Sequence, residues 1–378
     1  MKTSYRLIAT RSELESFAKS LEQTTAVAVD LEADSMYHFQ EKVCLIQMAS
    51  AGESVVIDPI QTKDLSPLKP LFFNPKIKKI IHGADYDVRS LYRDFKIEIN
   101  NLFDTQIACT FLGFKETGLD AILKQKFDVR LDKKYQRKDW SVRPLSEKML
   151  AYAVTDVIYL IPLAKMLEKE LKNKGRLDWV YEESEIISKV RPASGNDQPL
   201  YLKFRGAGRL NRRNLAALEA LLQFRMRKAQ KKDKPLFKII GNSAVMKIAQ
   251  ALPTDLPNLK KTKAFGPQQI EIYGTAVVEV VQKVMRIPEK KLPVYPKKPA
   301  PPVEASVPKR VKALKSLRDS KSQTLKIDPG ILFSNALIST VAVKNPLSAK
   351  TLEKIEELKN WQKKEFGQEI IAVLRNVK

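Results

Sequence analysis

The sequence predicts an α/β domain built on a sheet of mixed direction, followed by small all-α domains. Three observations carry this. Up to about residue 190, short β-branched apolar runs alternate with amphipathic stretches, the pattern of strands and helices in turn. From 210 to 286 only helical spacing is left, with Leu215, Leu218, Leu221 and Leu222 on one stripe and Val245, Ile248 and Ala249 on another. Charge divides the chain in the same place: residues 1–204 hold 31 basic and 29 acidic side chains, and residues 205–286 hold 17 and 5.

Taken in order, residues 12–21 read as a helix opened by a Ser12 cap. Ala26 to Glu32 is a strand, and 43–49 and 54–58 continue it as a three-strand meander around Ala51-Gly52. A helix over 65–73 leads to a fourth strand at Lys79-Ile80-Ile81, whose end, His82 to Asp87, runs into an amphipathic helix. A short strand is expected around Ile97, and Leu102-Phe103-Asp104-Thr105 opens another helix. After a helix over 119–127 and a charged loop over 130–143 holding Trp140, a long helix runs from Ser146-Glu147 to about Leu171.

Domain borders follow from composition: 1–191, a linker at 192–209, a helical domain at 210–286, a basic proline-rich tether at 287–326 and a second helical module at 327–378. Within 287–326 there are 11 basic and 3 acidic side chains. The basic excess suggests a polyanion-gripping surface, against the alternative of a solvated face kept for solubility. Its candidate contacts are Arg212, Arg213, Arg225, Lys231 and Lys232. Two cysteines, Cys44 and Cys109, are too few for a zinc cluster or a disulfide framework and read as buried thiols. No apolar run approaches a membrane span and the N-terminus lacks a secretory core, so a cytoplasmic place with no membrane partner is expected. A GxxxxGK[ST] loop is missing, which argues against ATP-driven unwinding.

Asp30 and Glu32 stand two apart on one strand and point to the same face. Buried together they need a cation; otherwise they are an acidic strand end facing water. Asp87 sits at a strand-to-helix junction, where it can also serve as a cap. Tyr152 and Asp156, four apart, share one helix face. Divalent metal suits such a set, because carboxylates and phosphate oxygens are the ligands Mg²⁺ takes.

In their order, His82-Gly83-Ala84-Asp85-Tyr86-Asp87, Phe103-Asp104-Thr105-Gln106, Asp139-Trp140-Ser141-Val142-Arg143-Pro144 and Tyr152-Ala153-Val154-Thr155-Asp156 resemble the DEDD superfamily of 3′–5′ exonucleases, and closely its ribonuclease D branch, over residues 5–190. The resemblance implies a ribonuclease H-like exonuclease fold. It matches Asp30 and Glu32 to the first motif, Asp87 to the second and Asp156 to the third. Ala151 followed by Tyr152 places the chain in the tyrosine branch. Two divalent ions, Mg²⁺ or Mn²⁺, are implied as cofactors. Asp30, Glu32 and Asp156 would hold one and Asp30 with Asp87 the other, while Tyr152 orients the attacking water. Asp104, Trp140, Arg143 and Pro144 are implied as scaffold and possible substrate contacts, Arg143 among the nucleic-acid-binding candidates. Residues 210–286, and more loosely the segment from Asp328 on, resemble HRDC nucleic-acid-binding modules, the second pairing with the first. The implied activity is hydrolysis of RNA from a free 3′ end to 5′-mononucleotides, with tRNA precursors as substrates and no obligate protein partner. A DNA exonuclease and a catalytically dead binding protein are the alternatives. A chain cut near residue 200 would then retain slow hydrolysis and lose the salt-dependent grip on long RNA.

Overall fold

A computed structural model describes residues 5–192, 198–296 and 304–377, with the backbone alone for Lys133. Parts of the expected linker (193–197) and tether (297–303) lie outside the described residues. The chain divides into two units, one comprising 1–33, 43–192 and 301–378 and the other 34–42 and 193–300.

The first unit is organised around six strands: β1 (Arg6–Ile8), β2 (Ala26–Ala33), β3 (Val43–Ala49), β4 (Ser54–Ile57), β5 (Lys78–Ile81) and β6 (Leu102–Asp104). They form one sheet in the order β1-β4-β3-β2-β5-β6. The expected meander is there, β2 to β3 and β3 to β4 being antiparallel. On its flanks β1 pairs with β4, and β5 with β2 and β6, in parallel. The sheet is therefore mixed, as expected. No strand forms around Ile97; Ile97 and Ile99 are buried in a connecting segment, and the strand there is β6, whose residues the sequence pattern assigns to the start of a helix.

Helices cover both faces: α1 (Arg11–Ser20), α2 (Asp85–Phe95), α3 (Thr105–Leu112), α4 (Leu119–Phe127), α5 (Glu147–Ile158), α6 (Leu160–Asn173) and α7 (Leu177–Ser188). The cap of α1 is Thr10, in a capping box with Glu13, rather than Ser12. Strand alternation splits β2 between two cores: Val27, Val29 and Leu31 pack with Leu14, Phe17, Val88 and Leu91, while Ala28 packs with Phe103, Ala108 and Leu163. The long helix expected from residue 147 breaks at Tyr159 between α5 and α6. Pro162, which has no N–H to give the preceding turn, accounts for the break. By length and composition alone, residues 147–173 could cross a membrane, but half of the apolar window is buried inside the fold, as in a core helix.

The second unit packs α8 (Arg212–Lys232), α9 (Asn242–Ala251) and α10 (Pro267–Met285) around Leu218, Leu221, Ile248 and Val277. Residues 34–42 belong to it: Nδ1 of His38 lies 2.7 Å from the Asp233 carboxylate, whose other oxygen accepts from the Phe39 N–H.

Three longer helices close the chain: α11 (Val307–Leu325), α12 (Asn335–Lys344) and α13 (Asn360–Arg375). α11 corrects the tether reading for its second half. Its apolar positions Val307, Val311, Leu314 and Leu317 are spaced for one helix face but diluted by lysines and arginines. These helices do not form a core of their own. Leu314, Ile338, Trp361 and Phe366 join one cluster with Phe111, Leu163 and Trp179 of the sheet domain. Gly113 takes φ +87°, and a Cβ there would strike the Lys326 carbonyl, so the two segments meet backbone to backbone.

Candidate active site

Pleating puts Asp30 and Glu32 on the same side of β2, with the buried Leu31 between them turned into the opposite core. A register shift follows Glu32 and ends the regular pairing with β3. Asp87 lies in the first turn of α2, a turn set in place by Asp104. One Asp104 oxygen accepts from the Gly83 N–H (2.9 Å) and from Gln106 N–H (2.8 Å), and the other from Ala84 N–H (2.7 Å). A single buried carboxylate thus ties the starts of α2 and α3 together. Gly83 has φ +76°, and a Cβ there would meet Gln106 Oε1 at 2.9 Å.

Asp156 and Tyr152 lie one turn apart on α5, whose start is capped by the Ser146 hydroxyl. Tyr152 is clamped by aromatic rings. Trp140 stacks on it at 6.2 Å between centroids and 28°, and Tyr135 meets it at 5.7 Å. Arg143 holds the Trp140 segment down through a fork on Asp58 (2.6 and 2.9 Å) and bonds to the carbonyls of Trp140 and Cys44, both at 2.7 Å. Burial pushes the Asp58 carboxyl up, but the bonds and charge of Arg143 together with the Gln61 bonds outweigh it and leave Asp58 below its ordinary value.

One carboxylate oxygen from each of Asp30, Glu32 and Asp156 falls within 4.8 Å of the others. Among the described residues no lysine or arginine forms an ion pair with any of the four site acids, so burial and mutual repulsion set their titration. Burial raises Asp30 to about 6. Burial, then the charges of Asp30, Asp156 and Asp87, lift Glu32 to about 10. Asp156 rises to about 8 through burial and Asp30, offset in part by its hydrogen bond with Tyr152. Asp87 is raised by burial, then Asp30 and Asp104. Tyr152 is pushed well above its ordinary value by burial and by Asp156. Crowded carboxylates without a basic side chain among them are the donor set a hard divalent ion selects.

A stability prediction follows. The folded chain keeps protons on these acids above the unfolded values of 3.8 and 4.5, so between those values and the raised ones the native state binds more protons than the unfolded state. The stability these acids contribute without metal is therefore fully present below their unfolded values and should be lost as pH rises through about 6 and about 8. Thermal melts in chelator from pH 5 to 8 should show a falling Tm, and Mg²⁺ should flatten the slope. A Tm that rises over that range contradicts the arrangement.

A cleft of about 300 Å³ is lined by Asp30, Glu32, Tyr152 and Asp156 together with Leu119, Leu131 and Leu160; Asp87 is not among its lining residues. His82 and Gln106 line it too, and sequence reasoning did not single them out. Burial lowers the His82 pKa, leaving a neutral ring. Its Nε2 sits 2.8 Å from the Thr117 carbonyl and its Nδ1 2.9 Å from the Thr105 hydroxyl. The sequence does hold a signal for His82, since it opens the segment that ends in Asp87.

The nucleic-acid candidates divide differently from expectation. Arg143 is a buttress, its guanidinium spent on Asp58 and backbone carbonyls. Arg225 is 7% exposed and donates to the Ile240 carbonyl and to Asn242. Arg213 caps the end of α10 through the carbonyls of Val284 and Ile287. In this structure all three guanidiniums are engaged within the fold, for Arg143 in line with the scaffold part of its expectation, because a guanidinium with several donors is the side chain best able to satisfy free backbone carbonyls. Arg212 is exposed but bonds the Leu292 carbonyl. Lys231 and Lys232 stay on the surface, Lys232 lying over the Tyr273 ring at 4.9 Å.

A family model described as 3′–5′ exonuclease matches residues 5–172, and the HRDC domain model matches 214–281 and 308–374. Ribonuclease D of Acidiphilium cryptum is 32% identical over 78% of this chain and 75% of its own length. That of Escherichia coli is 29% identical over 89% of each. Among solved structures, Escherichia coli RNase D, described as an exoribonuclease involved in structured RNA processing, superposes with TM-score 0.74 and 26% identity over 99% of both chains. The catalytic core of RRP6 from Trypanosoma brucei gives TM-score 0.64 and 29% identity over 75% of this chain and 80% of that one. The similarity runs through both the acidic cleft and the helical regions, and the chain belongs to the ribonuclease D family of 3′–5′ exoribonucleases.

Proposed function

We propose that the chain trims the 3′ ends of structured RNA such as tRNA precursors in the cytoplasm, with two divalent ions, Mg²⁺ or Mn²⁺, held by Asp30, Glu32, Asp87 and Asp156. The observation that carries this is the gathering of the Asp30, Glu32 and Asp156 carboxylates, none paired with a basic side chain among the described residues, beside Tyr152 in one cleft. When bound, such ions supply charge neutralisation and Lewis-acid activation for in-line phosphodiester hydrolysis. The chain's own groups do the rest. Tyr152 stays protonated at neutral pH because burial and its acidic neighbours raise its pKa, so its hydroxyl positions the attacking water and does not take its proton. Trp140 and Tyr135 fix that hydroxyl by packing the ring. The apolar wall of Leu119, Leu131 and Leu160 gives the terminal base a dry surface, and a cleft of about 300 Å³ takes a strand end rather than a duplex. Surface lysines of the helical domains, Lys231 and Lys232 among them, would hold phosphates farther along the RNA.

The test is release of 5′-mononucleotides from a 3′-extended tRNA with Mg²⁺ or Mn²⁺, run beside a DNA strand of equal length. Tyr152→Phe removes only the hydroxyl and should slow release by about 10²–10⁴-fold at unchanged ion dependence. Normal turnover in this variant would make Tyr152 a packing residue, and faster removal of deoxynucleotides would overturn the RNA reading.

A further inference from the structure

The seven residues of β3 are all buried, and six of them are apolar or nearly so: Val43, Cys44, Leu45, Ile46, Met48 and Ala49. The seventh is Gln47, 0% exposed, with neither its Oε1 nor its Nε2 hydrogen-bonded among the described residues. A buried amide left unbonded is costly, and a central strand favours Val or Ile at such a position. An orphaned pair of atoms in a native core needs an explanation, and a partner at a functional site or an ordered water can supply it.

The sheet register names that partner. Gln47 stands directly opposite Asp30 across the antiparallel β2–β3 pair, as Leu45 stands opposite Glu32. Directly opposed residues share a face, with Cβ atoms about 4.5–5.5 Å apart. Helix α5, which carries Tyr152 and Asp156, packs against β2 and β3, its Ala153 and Val154 sharing a core with Leu45 of β3. Asp30 accepts from the Leu31 backbone N–H and has further lone pairs to offer.

We infer that Gln47 is a positioning residue of the metal site, its amide N–H taking one oxygen of the Asp30 carboxylate and fixing the direction in which the other faces the ions. Carboxylates that ligate metal are themselves held by hydrogen bonds, and losing such a support costs about 10–100-fold in metal affinity. The bond forms as Asp30 turns to its ligand orientation. The inference rests on the metal reading of Asp30, Glu32 and Asp156.

The experiment is a Mn²⁺ titration of the full-length chain followed by thermal melting, which reads the ion without catalysis. Wild-type Tm should rise with Mn²⁺. Gln47→Leu, close in shape and without polar atoms, should melt at or up to about 2–4 °C above wild type in chelator, since an unbonded buried amide has been removed. Its Mn²⁺ midpoint should lie about 10–100-fold higher than that of wild type. Gln47→Met repeats the measurement should the branched side chain prevent folding. A wild-type midpoint shared by the variants overturns the inference alone and leaves Gln47 a core residue. No Mn²⁺ effect on the wild type overturns the metal reading, and this inference with it.

Discussion

Asp30→Asn should abolish hydrolysis while the chain stays folded and still binds RNA. Asn keeps the size and planarity of the side chain but removes the charge that a cation needs. It also removes the repulsion that helps to lift Glu32 to about 10 and Asp156 to about 8. Tm in chelator at pH 8 should therefore hold or rise, opposite to the usual effect of a buried substitution. The rate should fall by roughly 10³–10⁵-fold, the scale on which a single charge matters in phosphoryl transfer. Asp156→Asn should behave alike, because both acids stand in the group of three whose oxygens lie within 4.8 Å. A normal rate in Asp30→Asn means that the site is wrongly placed; a lost rate with a lowered Tm means that Asp30 serves the fold.

The acidic cleft was legible because its geometry is local. Period two aligns Asp30 with Glu32, and one helical turn aligns Tyr152 with Asp156, so sequence spacing already contains the side-chain direction. Asp87 needed the motif order, since a first-turn acid has a capping role of its own. What was not legible depends on distant partners. β1 is three residues long, too short to show alternation, and is held by β4 nearly fifty residues away. Ile97 looked like a strand because it is buried, yet its burial comes from α2 and its neighbours rather than from a ladder. Gln47 acquires meaning only through the register that sets it against Asp30.

The arginines teach the same lesson about charge. A net excess along the sequence says that cations are present, not which way they face. Arg213 and Arg225 are consumed by carbonyls inside the helical unit, while Lys231 and Arg227 face water. The proline-rich stretch misled for a related reason. Composition averaged over 287–326 hid α11, whose few apolar residues reach the sheet domain's core.

That shared core alters what truncation does. A chain ending at residue 303 should not be a slow but sound nuclease; it should be poorly soluble or melt far below the full chain. Trp361 of α13 stacks on Trp179 at 4.6 Å and 23° and meets Phe111 edge-on at 5.3 Å. Trp179 and Phe111 are 5% and 2% exposed, so removing α11–α13 would uncover a large aromatic patch on the sheet domain. Polar bonds go with it. Glu182 accepts from the Asn360 and Trp361 N–H groups at the start of α13, Glu183 pairs with Lys359 and with the Trp361 indole N–H, and Arg176 donates to the carbonyls of both Phe111 and Leu325. Trp361→Ala isolates the apolar part. Emptying a buried aromatic site costs about 3–5 kcal/mol, which at roughly 2–4 °C per kcal/mol for a domain of this size predicts a Tm about 10 °C lower. The measurement is a pair of thermal melts, with the truncated and the substituted chain set against the full one. A truncated chain that melts with the wild type would show that α11–α13 rest on the sheet domain without supporting it. For the same reason the part played by charge in RNA binding is to be read from the salt slope of the full chain with exposed side chains such as Arg227 and Lys231 replaced by Gln. Each cation whose removal frees a phosphate should then flatten the slope by about 0.7 on single strands.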